Sequence, residues 1–139
     1  MNCPFCSIVE GEEDAVILDE TEDTIAFAPL DSVSEGHLLV VPKAHYEHLF
    51  DVPEPILHAV TERARTIAER LRAHGFDGVN LLHASGEAAQ QSVPHFHLHI
   101  APRRHDDELD LWPASTHDES DFDRTYETVR TAIENGDAL

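Results

Sequence analysis

The stretch PHFHLHI, residues 94–100, restricts the fold more than any other part of the chain. Three histidines, His95, His97 and His99, alternate with Phe96, Leu98 and Ile100. Side chains on a β-strand alternate between faces, so the pattern predicts a strand over 93–101, ended by Pro102, with one apolar face and one imidazole face. Same-face neighbours lie roughly 6.5–7 Å apart, which separates His95 from His99 by roughly 13 Å. One metal with bonds of about 2 Å does not easily take all three, although an adjacent H-x-H pair can share one. A neutral imidazole is also a good nucleophile near pH 7. The strand is therefore a candidate metal site, a candidate nucleophile with helpers, or a solvated outer face that happens to be rich in histidine.

The rest of the chain supplies partners for such a strand. Residues 15–19 and 24–28 read as two short strands around an acidic turn, and residues 37–42 as a third, ended by Pro42. From Pro53 to His74, Leu57, Val60, Ala64, Ile67 and Leu71 recur at three- and four-residue steps, which predicts the main helix. Asp51 is its expected N-cap, and Gly75 suits the C-terminal stop. Residues 78–83 read as a fourth strand, followed by the small-residue loop ASGEAAQQ. A final helix over 120–134 would carry Phe122, Tyr126, Val129 and Ile133 on one stripe. The expected class is α+β: one domain over 1–139, an antiparallel five-stranded meander with one main helix, and an irregular tail from 104 ending in a C-terminal helix.

Charge narrows the partners. Nine Lys plus Arg against 28 Asp plus Glu give a net charge of −19, which disfavours nucleic acid, since its phosphates would meet a negative field. Lys43 is the one lysine. Strong acidity with almost no lysine is similar to proteins of salt-loving archaea, where high salt screens carboxylate repulsion. No apolar run approaches the roughly 20 residues of a membrane helix, and the first residues lack the basic flank and apolar core of a signal peptide, so a cytoplasmic location is expected. The only cysteines, Cys3 and Cys6, form C-x-x-C. In a reducing compartment that spacing leaves redox or metal roles open.

The run QSVPHFHLHIAPR resembles the signature of the histidine triad (HIT) family, His-φ-His-φ-His-φ-φ with φ apolar. GHLLVVPKAH resembles that family's second block, and NCPFCSIVEGE its N-terminal start, so the similarity covers residues 3–103. The resemblance implies a nucleotide hydrolase or transferase acting at an α-phosphorus, and a homodimer whose sheet extends across both copies. His97 would attack the phosphorus, and His99 would hydrogen-bond the phosphate or leaving group. The main-chain carbonyl of His95 would fix the tautomer of His97. Gln91 and Ser92 would donate to phosphate oxygens, and Ile8, Phe27 and Leu30 would contact the base. No Mg²⁺ is expected. In one branch of the family the C-x-x-C pair, a histidine after the second block and the first triad histidine hold a structural zinc, which implies Cys3, Cys6, His45 and His95 here.

Two features depart from that pattern. Pro29 occupies the place where many relatives carry an acidic residue for the ribose, with Asp31 two residues on. His83 stands where many have Asn. Two other readings remain: a zinc-dependent hydrolase using an H-x-H pair with an open metal position, and a nucleotide-binding sensor without turnover.

Overall fold

The computed structural model describes residues 3–118 and 120–135. The chain divides into two compact units, the first ending at Leu109 and the second beginning at Asp110. The first unit holds α1 (Pro4–Val9), β1 (Ile17–Glu20), β2 (Thr24–Phe27), β3 (Leu38–Pro42), α2 (Glu54–Ala73), β4 (Gly78–Leu82) and β5 (Leu98–Arg103). The second holds α3 (Phe122–Asn135), whose Phe122, Tyr126, Val129 and Ile133 are exposed.

The expected α+β class and five-stranded antiparallel sheet are present. The first three strands form a meander, but the order β1-β2-β3-β5-β4 departs from it at the end. The helical crossing of α2 carries the chain past β3, so β4 takes the edge and the histidine strand returns into the gap. This places β5 between two neighbours, with His99 paired to Leu39 of β3 and to Leu82 of β4.

Alternation along β2 and β3 builds two cores, one on each face of the sheet. Ala26, Leu38, Val40, Phe96 and Ile100 meet Val60 and Ala64 of α2. Ile25, Phe27, Leu39 and Val41 face the other way, toward Cys3 and Phe5 at the N-terminus. Asp19 on β1 is joined to Arg63 of α2 by a two-pronged ion pair, which ties the edge strand to the helix.

Two local expectations are corrected. Asp51 does not cap α2, because its carboxylate accepts from the N–H groups of Glu47 and His48 and closes the turn before it; Pro53 is the N-cap. The histidine strand begins at Leu98 instead of 93 and runs through Pro102 to Arg103. Pro94 has no N–H for a ladder, and Phe96 N–H donates to the Tyr46 carbonyl at 2.6 Å instead of to a strand. Pro102 is tolerated because β3 pairing ends at Ile100, leaving only β4 beside it.

Candidate active site and metal cluster

The imidazole face is not a solvated one. His95 is fully buried and His97 is 4% exposed, because α1 covers them. A six-residue helix has little stability of its own, so α1 depends on what it packs against. Pro4 at its first turn presets φ, the Cys3 sulfur accepts from Cys6 N–H at 3.3 Å, and Phe5 projects into the core. The Phe5 ring meets Phe27, His95 and His97 edge-on, with centroids 5.2, 5.8 and 5.1 Å away. Phe5 is a site residue that sequence reasoning missed. The signal was the apolar position between the two cysteines.

Beneath α1, Cys3 Sγ lies 3.4 Å from His95 Nδ1, and Cys6 Sγ lies 3.6 Å from His95 Nδ1 and 3.2 Å from His45 Nδ1. The two Nδ1 atoms are 3.2 Å apart, and all four ligand atoms fall within 4.8 Å of one another. Bonds of about 2.0–2.3 Å from a central ion give tetrahedral edges of roughly 3.3–3.8 Å, so the set fits one metal. His95 Nε2–H donates to the Pro42 carbonyl at 2.8 Å, which leaves Nδ1 as its ligand atom and supplies an outer-shell partner. Burial, followed by the neighbouring Cys3, pushes the Cys6 thiol up to about 11, so taking a cation here must expel a proton the pocket otherwise retains. Four protein ligands close the shell, which suits a structural ion.

His97 belongs to a different place. Its Nδ1–H donates to the His95 carbonyl at 2.7 Å, as the sequence resemblance implied, so the lone pair sits on Nε2. The H-x-H pair therefore does not converge on one ion: His95 gives Nδ1 to the sulfur cluster, while His97 lines a cavity of about 690 Å³. That volume lies within the range of small-ligand pockets.

His99 lines the same cavity, its ring 5.0 Å from that of His97. A chain of hydrogen bonds determines its tautomer. Val33 N–H donates to His37 Nδ1 at 3.1 Å, so His37 carries its proton on Nε2. That proton is donated to His99 Nδ1 at 3.0 Å, which leaves His99 with its own proton on Nε2. Gly36, at φ 81°, makes the turn that delivers His37. The site thus holds one imidazole with a free lone pair and one with a free N–H. Burial lowers His37, His97 and His99 below the ordinary imidazole range, reaching about 4 for His99, where His97, His37 and His83 add to the effect of burial. The imidazoles of His97 and His99 are therefore neutral at pH 7.

Of the residues expected to meet the nucleotide, Ile8, Phe27, Leu30, Ser92 and His99 line the cavity. Leu30 is fully exposed at its rim. Gln91 does not line it. Its Oε1 accepts from Gly86 N–H at 2.8 Å, its Nε2 donates to the Glu47 and Val93 carbonyls, and its main-chain N–H donates to Gly86 O. With all its donors taken, Gln91 braces the 86–91 loop instead of donating to a ligand. Gly86, at φ 95° and ψ 154°, holds a backbone conformation that is nearly glycine-only. Asp31 is at the cavity wall beside Pro29, and Glu13 and Asp14 line the same cavity.

A family model described as the HIT domain matches residues 10–106. An uncharacterised HIT-like protein of Methanocaldococcus jannaschii is 40% identical over 101 residues, covering 73% of this chain and 78% of that protein. An adenosine 5′-monophosphoramidase of Saccharomyces cerevisiae is 35% identical over 125 residues, 88% of this chain and 75% of its own length. Among solved structures, a zinc-bound histidine triad family protein from Mycobacterium smegmatis superposes with a TM-score of 0.77 at 30% identity, covering 99% of both chains.

Proposed function

Because the chain belongs to the HIT domain family, we propose that it cleaves nucleotide conjugates at the α-phosphorus, with His97 as nucleophile. The observation that carries the reading is the tautomer of His97: Nδ1–H is held on the His95 carbonyl, and Nε2 is left unprotonated in a cavity. In the first step Nε2 bonds to phosphorus as the bond to the leaving group breaks. The free N–H of His99 stabilises the phosphate or the departing atom. Water then breaks the P–N bond, which releases the mononucleotide and restores the imidazole. Phosphoramidates and dinucleoside polyphosphates fit this chemistry. The similarity to an adenosine 5′-monophosphoramidase favours the former.

Within this reading the Cys3, Cys6, His45 and His95 cluster holds structural zinc, supported by its donor set and by the zinc-bound relative. A cytosolic homodimer without nucleic-acid partners completes the proposal.

The test is incubation in molar salt with labelled adenosine and guanosine phosphoramidates and dinucleoside polyphosphates, followed by rapid denaturation. A covalent nucleotidyl adduct on His97, absent from His97→Ala, is the expected result, with zinc content the same in both proteins. Metal-dependent turnover without an adduct would favour metal-activated water, and absence of both adduct and product would favour a binding-only protein.

A further inference from the structure

His83 lies just past the end of β4, where that strand leaves β5 after the Leu82–His99 pair. The residues that lead into β5, including His97 directly before it, therefore lack a main-chain neighbour on that side. The His83 side chain replaces it: its Nδ1 is 2.8 Å from the His97 carbonyl oxygen. A carbonyl can only accept, so Nδ1 carries the proton and Nε2 is left as an acceptor. Ser85 Oγ, 2.5 Å from Nε2, must then donate its hydroxyl proton to His83. The same oxygen accepts from Leu49 N–H at 2.8 Å. The His83 ring also lies against Phe96, with centroids 4.8 Å apart.

We infer that His83 is a positioning residue for His97, bracing the nucleophile's main chain against the 83–91 loop and the segment that carries His45. The inference rests on the reading of His97 as the nucleophile. One imidazole joins three segments that share no strand pairing at this point: the approach to β5, the loop held by Gln91 and Gly86, and the 44–52 connection. His83 does not line the cavity, so it acts through His97 and not on a ligand. The His95 carbonyl sets the tautomer of the attacking ring, and His83 holds the peptide from which that ring is suspended. Small displacements of a reacting atom are costly to rate, so this tie should register in turnover more than in binding.

The chemistry also says which substitution should do least harm. An asparagine amide can place its N–H where His83 has Nδ1–H, toward the His97 carbonyl, while its oxygen takes the place of the ring's Cδ2 and does not reach the Ser85 hydroxyl as Nε2 does. Alanine offers no donor to the carbonyl. His83→Ala should lower kcat by roughly tenfold or more with KM nearly unchanged, while His83→Asn should restore most of it. Ser85→Ala, which removes only the outer link, should resemble His83→Asn and not His83→Ala.

A readout independent of turnover separates this inference from the proposed function. Long-range ¹H–¹⁵N spectra should show His97 as a single Nδ1–H tautomer in the wild type and His83→Asn, and as a tautomer mixture in His83→Ala. That result would stand even if no nucleotide substrate turned over. An unaltered His97 tautomer and kcat in His83→Ala would overturn the inference. So would equal losses in the Ala and Asn variants at wild-type circular dichroism and zinc content, or an effect on KM alone.

Discussion

His99 is held neutral by its surroundings: burial comes first, then the neighbouring His97, His37 and His83, and together they bring it to about 4 from an ordinary 6.5. Between those values an unfolded chain binds a proton at this position and the folded chain does not. Stability therefore rises with pH across that window and is lost as pH falls through it. In His99→Asn that contribution is removed, so the loss of stability between pH 6.5 and pH 4.5, measured by urea unfolding at constant molar salt, should shrink. Some slope should remain, because burial also lowers His37 and His97. An identical slope in the variant would contradict this account. Under the proposed mechanism, turnover should show its own acid limb below the usual imidazole range, since protonating His97 fills the lone pair that the attack would use. At this scale the sequence was informative where a role depends on residue type and spacing. Cys3, Cys6, His45 and His95 meet as the resemblance implied, and His97 finds the His95 carbonyl. It was silent where a role depends on which main-chain atom lies within reach. Gln91 bonded to Gly86, and His83 bonded to the His97 carbonyl, are products of tertiary placement that no local pattern encodes.

Among the elements, α1 shows most clearly how the sheet and the site depend on each other. Six residues are too few to display a helical period, so its sequence read only as a start motif with a C-x-x-C. The longer elements were legible within a few residues because α2 spans 20 residues with an apolar stripe, and β2 and β3 alternate cleanly between the two cores. The histidine strand was placed five residues early, because its alternation continues through residues whose N–H groups bond elsewhere. α1 is held by two kinds of contact: Phe5 in the second core, and two sulfurs aimed at two imidazoles. If the cluster holds zinc as proposed, removing the ion, or making Cys6→Ser, should release both together. Re-exposing Phe5 alone costs about 1.5–3 kcal/mol. At roughly 3–4 °C per kcal/mol for a chain of this size, Tm should fall by ~5–12 °C. Differential scanning calorimetry before and after dialysis against a strong chelator checks this. The same Tm with metal quantitatively removed would show that α1 stands without the cluster. Because Phe5 also packs on the His97 ring, the proposed activity should be lost on chelation at temperatures below the melting transition, when α1 frays and admits water to the imidazole.

For the molecule as a whole, the charge of −19 is a term that no pairwise contact cancels. The cations are largely spoken for. Lys43 pairs with Glu20, Arg63 with Asp19, Arg103 with Asp107 and Arg104 with Glu35, and nine basic side chains cannot neutralise 28 acidic ones. Surface pairs of this kind contribute little each, and their attraction is also weakened by salt. The repulsion among the excess carboxylates is long-ranged and summed over the surface, so screening it should outweigh the lost pairs. The screening length falls from about 10 Å at 0.1 M to about 3 Å at 1 M, which is shorter than typical spacings between neighbouring surface charges. Tm should therefore climb steeply with KCl up to ~1 M and more slowly beyond it, where exclusion of salt from the surface replaces screening. Following the melt by circular dichroism from dilute buffer to molar KCl, with sucrose as an uncharged control, separates the two effects. Sucrose should reproduce only the shallow part. A flat Tm across the KCl series, or an equal response to sucrose, would mean that the acidic surface is not what limits this fold. At low salt the site should fail before the sheet does, because α1, the shortest element covering His95 and His97, has the least burial of its own to offset the repulsion.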